Sequence, residues 1–143
     1  MSTPYYVVDN SFLNKITDDY LLTLIDENLY KLIGDYRTSA SIRFKQCKKL
    51  QDRDDELKQY NQTLTDEEIE ILANLMVLEW LKPQINSIET LKQTMSLKDY
   101  KMYSQSRHLD SLISLKKLTS AEIDSLIVSY TYSNNSLDDL GKV

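Results

Sequence analysis

Gly34, Gly141, Pro4 and Pro83 are the only glycines and prolines in a chain of 143 residues. Folds made of strands need frequent turns, and turns draw on Gly, Pro and Asn-Gly pairs. A chain so poor in them must place most of its length in helices. The same scarcity excludes the glycine-rich loops that cradle phosphates or dinucleotides, where backbone has to approach the ligand closely.

The rest of the composition narrows the class further. Hydrophobic residues make up 41% and charged residues 27%, a mix that folds rather than staying disordered. A domain of this length buries roughly 70% of its unfolded surface, so it needs no staple. Cys47 and His108 are single representatives of their types. They are too few for a zinc site of Cys and His, and no intrachain disulfide forms, consistent with a reducing compartment. The formal charge of −5 argues against a dedicated nucleic-acid binder. No apolar run reaches the length of a membrane span, and the start Met-Ser-Thr-Pro-Tyr-Tyr lacks the pattern of a secretory signal.

Hydrophobic spacing then places the elements. Residues 1–11 read as an extended arm, with Tyr5, Tyr6, Val7 and Val8 between Pro4 and Asp9-Asn10. Such an arm either adds a strand to a neighbour or tucks against its own core. Phe12, Leu13 and Ile16 suggest one helical turn, stopped near Thr17-Asp18-Asp19. A first long helix is expected from about Glu27 to Leu50, capped by Asp26. Its stripe is Leu29, Leu32, Ile33, Tyr36, Ala40, Phe44 and Cys47, at three- and four-residue steps. Gly34 sits inside it at a cost of about 1 kcal/mol against alanine, which points to a close helix crossing.

Residues 51–64 are polar and read as a loop, with room for a helical turn around Leu57 and Tyr60. Thr65 and Glu68 form a capping-box pattern, so a helix begins there. Ile69, Leu72, Ala73, Met76, Val77 and Trp80 share one face, and Leu75, Leu78 and Leu81 widen it. This is the expected central helix, ended or kinked by Pro83, with a shorter segment around Ile88, Leu91 and Met95. The last helix is expected from Ser96 to about Tyr130, with a break allowed at Leu118-Thr119-Ser120. Residues 133–143 read as a flexible polar tail. The expectation is one domain over residues 1–143: an all-α, small helical bundle with a long C-terminal helix and extended terminal arms, with no internal repeat.

Catalytic readings fare poorly. His108 has only Asp110 near it in sequence, too close to face it on a helix, and reads as a surface or interface residue. Cys47 lies on an apolar stripe and reads as a small buried hydrophobe. Asp52, Asp54, Asp55 and Glu56 alternate as calcium ligands do, but the central glycine of an EF-hand loop is missing; they read as a solvated loop. An acid–base pair would have to come from carboxylates such as Glu68 and Glu79, and their spacing promotes none. The chain is expected to be no enzyme and to carry no catalytic, cofactor or metal site. Ten tyrosines against two phenylalanines suit either a core whose hydroxyls reach the surface or an assembly interface. The interface candidates are Tyr5, Tyr6, Tyr100, Tyr103, Tyr130, Tyr132, Leu137 and Leu140.

Two stretches resemble the head–tail connector (adaptor) proteins of tailed bacteriophages. The first is Phe12-Leu13-Asn14-Lys15-Ile16-Thr17-Asp18-Asp19 with the helix ending Arg43-Phe44-Lys45. The second runs from Leu75-Met76-Val77-Leu78-Glu79-Trp80-Leu81-Lys82-Pro83 through Tyr103-Ser104-Gln105-Ser106-Arg107-His108-Leu109 to Tyr130-Thr131-Tyr132. The resemblance implies a structural virion protein of the capsid–tail neck, assembled in the bacterial host cytoplasm. It implies a homo-oligomeric, commonly dodecameric ring beneath the portal protein that docks the next neck or tail-completion protein. DNA would pass through such a channel without specific binding, which a negatively charged wall favours. It implies no cofactor and no membrane partner, and it transfers no portal-docking residue. The rival reading is a small cytosolic helical binding protein, such as a phage regulator or inhibitor.

Overall fold

The computed structural model describes residues 2–16, 26–94 and 99–140, with side chains described over 2–16, 27–87 and 107–133. The chain is mostly helical but not purely so. Its elements are β1 (Thr3–Pro4), α1 (Tyr5–Leu13), α2 (Asp26–Arg43), a 3-10 run (Lys48–Gln51), β2 (Arg53–Asp54), β3 (Gln59–Tyr60), α3 (Asp66–Thr94) and α4 (Asp99–Leu140).

The capping box at the head of α3 forms as the sequence predicts. The Thr65 amide donates to Glu68 Oε1 at 2.8 Å, and the Glu68 amide donates to Thr65 Oγ1 at 3.2 Å. Every residue from Ile71 to Leu78 is buried, as expected of a helix apolar on all sides. Helices α1, α2 and α4 all pack against it. Pro83 does not end α3, which runs on to Thr94. Proline removes one backbone donor and crowds the turn before it; there the Gln84 side-chain amide donates to the Trp80 carbonyl at 3.2 Å.

Helix α4 is unbroken across Leu118-Thr119-Ser120. Leu109, Leu112, Thr119, Ile123 and Tyr130 are buried along one face, so the stripe carries the helix through without a new cap. Tyr130 meets Glu68, so α3 and α4 form an antiparallel hairpin. At 42 residues, α4 is about 63 Å long. The expected polar tail is instead its last turns, helical through Leu140; residues 141–143 lie outside the described residues, as do the caps sought at Ser96 and the stop sought at residues 17–19.

The N-terminal arm is a correction. Only Thr3–Pro4 are extended, and Tyr5–Leu13 is helical. Tyr5, Val8, Asp9 and Phe12 are buried at helical steps, and burial of that face outweighs the weak β-preference of tyrosine and valine. The Tyr5 amide, orphaned at the helix start, donates to the Lys58 carbonyl at 2.9 Å.

Helix α2 ends at Arg43, not at Leu50. Phe44, Cys47 and Leu50 stay on the buried stripe but at steps of three residues, and all are buried. That is the period of a 3-10 run, which the chain adopts from Lys48. The predicted loop contains a hairpin: β3 lies between β1 and β2, antiparallel to both, with Thr3 and Arg53 opposite Tyr60. Asp54 Oδ1 accepts from the amides of Glu56 at 2.9 Å and Leu57 at 3.1 Å, and Lys58 closes the turn at φ 55°. The all-α expectation therefore holds for the bulk of the chain and fails for this small sheet.

Candidate functional site

Two polar constellations organise the described residues. The first centres on Glu68, whose side chain is 1% exposed. Besides the Thr65 amide, Oε1 accepts from Lys49 Nζ at 3.0 Å. Oε2 accepts from Cys47 Sγ at 3.0 Å and from the Tyr130 hydroxyl at 2.8 Å. Burial pushes this carboxyl up, but the Thr65 amide, Cys47, Tyr130 and Lys49 more than offset it and hold it at about 2. Burial and the carboxylate in turn push the Cys47 thiol up to about 11 and raise the Tyr130 phenol. A thiol held this way is a poor nucleophile. The cluster has the chemistry of a clamp: one charge satisfied by donors from the 3-10 region, the head of α3 and the far part of α4.

The second constellation lies where α1, α2 and the hairpin turn meet. Arg37 Nη1 on α2 reaches both carboxylate oxygens of Asp9 on α1 at 2.7 Å. Both side chains are 13% exposed. The guanidinium lies 3.9 Å over the Tyr5 ring centroid, a cation–π contact. The Tyr5 hydroxyl donates to Asp55 Oδ1 at 2.7 Å, and its ring meets Tyr60 edge-on at 5.0 Å. Burial raises the Tyr5 phenol, and Asp55 raises it further. Burial also raises Asp9, with Arg37 opposing. Beside this cluster opens a groove of about 690 Å³.

The structure divides the interface candidates. Tyr5 and Tyr130 are core residues, 6% and 8% exposed, which corrects their assignment to an interface. Tyr6 and Tyr132 are on the surface, 64% and 70% exposed. Tyr100, Tyr103, Leu137 and Leu140 are on α4, with side chains outside the described residues. His108 is exposed on α4, and Cys47 is buried. Glu68 and Glu79 make no acid–base pair: they lie about three turns apart, and Glu79 is engaged by Arg43 at 2.9 Å and Lys82 at 3.2 Å. In the acidic loop, Asp52 accepts from Asn61 at 2.8 Å and Gln62 at 3.3 Å, while Asp54 braces its own turn and Asp55 holds Tyr5. Among the described residues no group of three or more His, Cys, Asp or Glu is placed to hold a metal ion, and no helix is long and apolar enough to cross a membrane.

Sequence reasoning missed the Arg37–Asp9 pair, because neither residue breaks a local pattern and they are brought together only because α1 and α2 both pack on α3. It found Glu68 as a cap but not as a hub. No protein-family model, no curated protein and no solved structure matches the chain.

Proposed function

We propose that the chain is a structural subunit of the tailed-bacteriophage neck: a head–tail connector that assembles into a ring beneath the portal, extends the DNA channel and docks the next neck component. The observation that carries this reading is the outward face of α4. Leu118, Val128 and Tyr132 are 71%, 68% and 70% exposed there. The small residues Ala121 and Ser125, also exposed, fall between them at three- and four-residue steps. This stripe lies opposite the face that packs on α3, and exposed apolar residues aligned along one helix face suit a contact surface. A long hairpin with one side committed to its own core and the other exposed suits lateral contact between copies. The net charge of −5 suits a wall past which DNA slides.

The test is assembly with a portal protein, read by electron microscopy of the co-purified complex. Closed rings of this chain on the portal are the expected result. Failure to bind portal, with a single copy captured by some other host or phage protein, would favour the rival reading of a small helical binding protein.

A further inference from the structure

Gly34 lacks the packing reason that a glycine inside a helix usually has. The close helix crossing expected there is absent among the described residues: an added Cβ meets, within 4 Å, only the tip of the Arg37 guanidinium, at 3.4 Å. Gly34 instead lines the groove between α1, α2 and the hairpin turn. Its rim holds Tyr6, Tyr30 and Leu57, exposed by 64%, 65% and 67%. Exposed apolar residues scattered singly need no explanation, but three around one concavity do. A glycine floor between them lets an occupant approach the α2 backbone more closely than any side chain would allow.

The polar groups of the groove restrict that occupant. Among the described residues of the lining, Lys31, Arg37 and Lys58 match Asp9, Asp35 and Asp55 in number, so these favour neither an acidic nor a basic ligand. Two of the carboxylates are already engaged, Asp9 by Arg37 and Asp55 by Tyr5. What remains among the described residues is the hydroxyls of Tyr6 and Tyr30 and the ammonium groups of Lys31 and Lys58 as donors, with Asp35 and the second oxygen of Asp55 as acceptors. Such a surface suits a chain that presents carbonyls and few N–H groups. A polyproline II segment does so: it has no internal hydrogen bonds, keeps its carbonyls free, and is slim. An α-helix is about 10–12 Å across and satisfies its own carbonyls. Aromatic-walled grooves are also the surfaces on which proline rings pack.

We propose that this groove binds an uncharged, proline-rich segment of another protein, with Tyr6, Tyr30 and Leu57 as walls and Gly34 as floor. The inference stands apart from the neck reading, since it concerns the single chain in solution.

The experiment titrates the ¹⁵N-labelled full chain with acetylated decaproline and follows the amide resonances. Saturable shifts centred on Tyr6, Tyr30, Gly34 and Leu57 are expected. Gly34→Leu fills the floor and Tyr30→Ala removes a wall; each is expected to weaken binding at least about tenfold, the scale of losing one central contact. Tyr30 is exposed, so Tyr30→Ala should melt as the parent does; a Cβ at Gly34 meets the Arg37 guanidinium at 3.4 Å, so the melting of Gly34→Leu reports whether the Arg37–Asp9 pair is kept. The proposal is overturned if no saturable shift is seen, or if the variants bind as the parent does. Tighter binding of an oligolysine or oligoglutamate peptide also overturns it. So do concentration-dependent shifts at the same residues without peptide, which would assign the groove to a second copy of the chain.

Discussion

The Tyr130 hydroxyl donates to Glu68 Oε2 at 2.8 Å, tying a late turn of α4 to the first turn of α3. The same carboxylate also closes the α3 cap and holds Cys47 and Lys49. A buried charge is costly unless its hydrogen bonds are met, and here each oxygen accepts two.

Acid stability should report this cluster. Glu68 is held at about 2 against an ordinary value of 4.5. A depressed folded value means stability that is fully present above the unfolded value and is lost as pH falls towards about 2, amounting to about 3 kcal/mol. Denaturant melts at a series of acid pH values should show this loss. Glu68→Gln should lower stability at neutral pH and flatten the acid dependence; an unchanged slope would show that Glu68 is not the group responsible.

Breaking the Arg37–Asp9 pair should be expensive. Arg37→Met leaves Asp9 buried without its cation, a change that costs about 3–5 kcal/mol. Burial already raises Asp9 in the parent with Arg37 opposing, so removing the arginine raises it further. A carboxyl with a raised folded value contributes stability below its unfolded value and loses it as pH rises through the folded one. The deficit of the variant should therefore shrink in mild acid, and urea melts between pH 4 and 7 check it.

Much of this arrangement was legible beforehand, and what escaped did so for physical reasons. The Thr65–Glu68 box and the run from Ile69 to Leu81 announce α3 because capping and helical periodicity are local. Two-residue strands such as Arg53–Asp54 and Gln59–Tyr60 carry no period at all. Tyr5 to Val8 looked extended because β-branched and aromatic residues precede and follow no helix signal; only the tertiary surface under Tyr5, Val8 and Phe12 selects the helix. The groove was hidden for the same reason, although Gly34 was visible as a residue in need of a cause.

Trp80 is 7% exposed on α3, which favours a core role over an interface anchor. Trp80→Ala should cost about 3–5 kcal/mol, a large share of the stability of a typical domain. Thermal melting of the isolated chain is the check, and an unchanged midpoint would move Trp80 out of the core.

Cys47 should be nearly inert while the chain is folded. The residue is 2% exposed and its thiol is raised to about 11, so at pH 8 it holds about a hundredfold less thiolate than a free cysteine. Labelling by a chromogenic disulfide should be slow in buffer and rapid in denaturant, with a rate that tracks unfolding. Fast labelling of the native chain would contradict the clamp around Glu68.

The small sheet also sets a rule for how copies can meet. Its outer strands are two residues each, and one of them ends in Pro4, which has no N–H to offer. A foreign strand laid along either margin would find too short a ladder to grip, and this is how proteins keep sheet margins from templating fibrils. Through the described residues, an ordered polymer of this chain would draw on side-chain fit between its surfaces rather than on pairing along this sheet. Its geometry would then be set by the angles at which those surfaces meet, and backbone pairing from one molecule to the next would contribute nothing to its length.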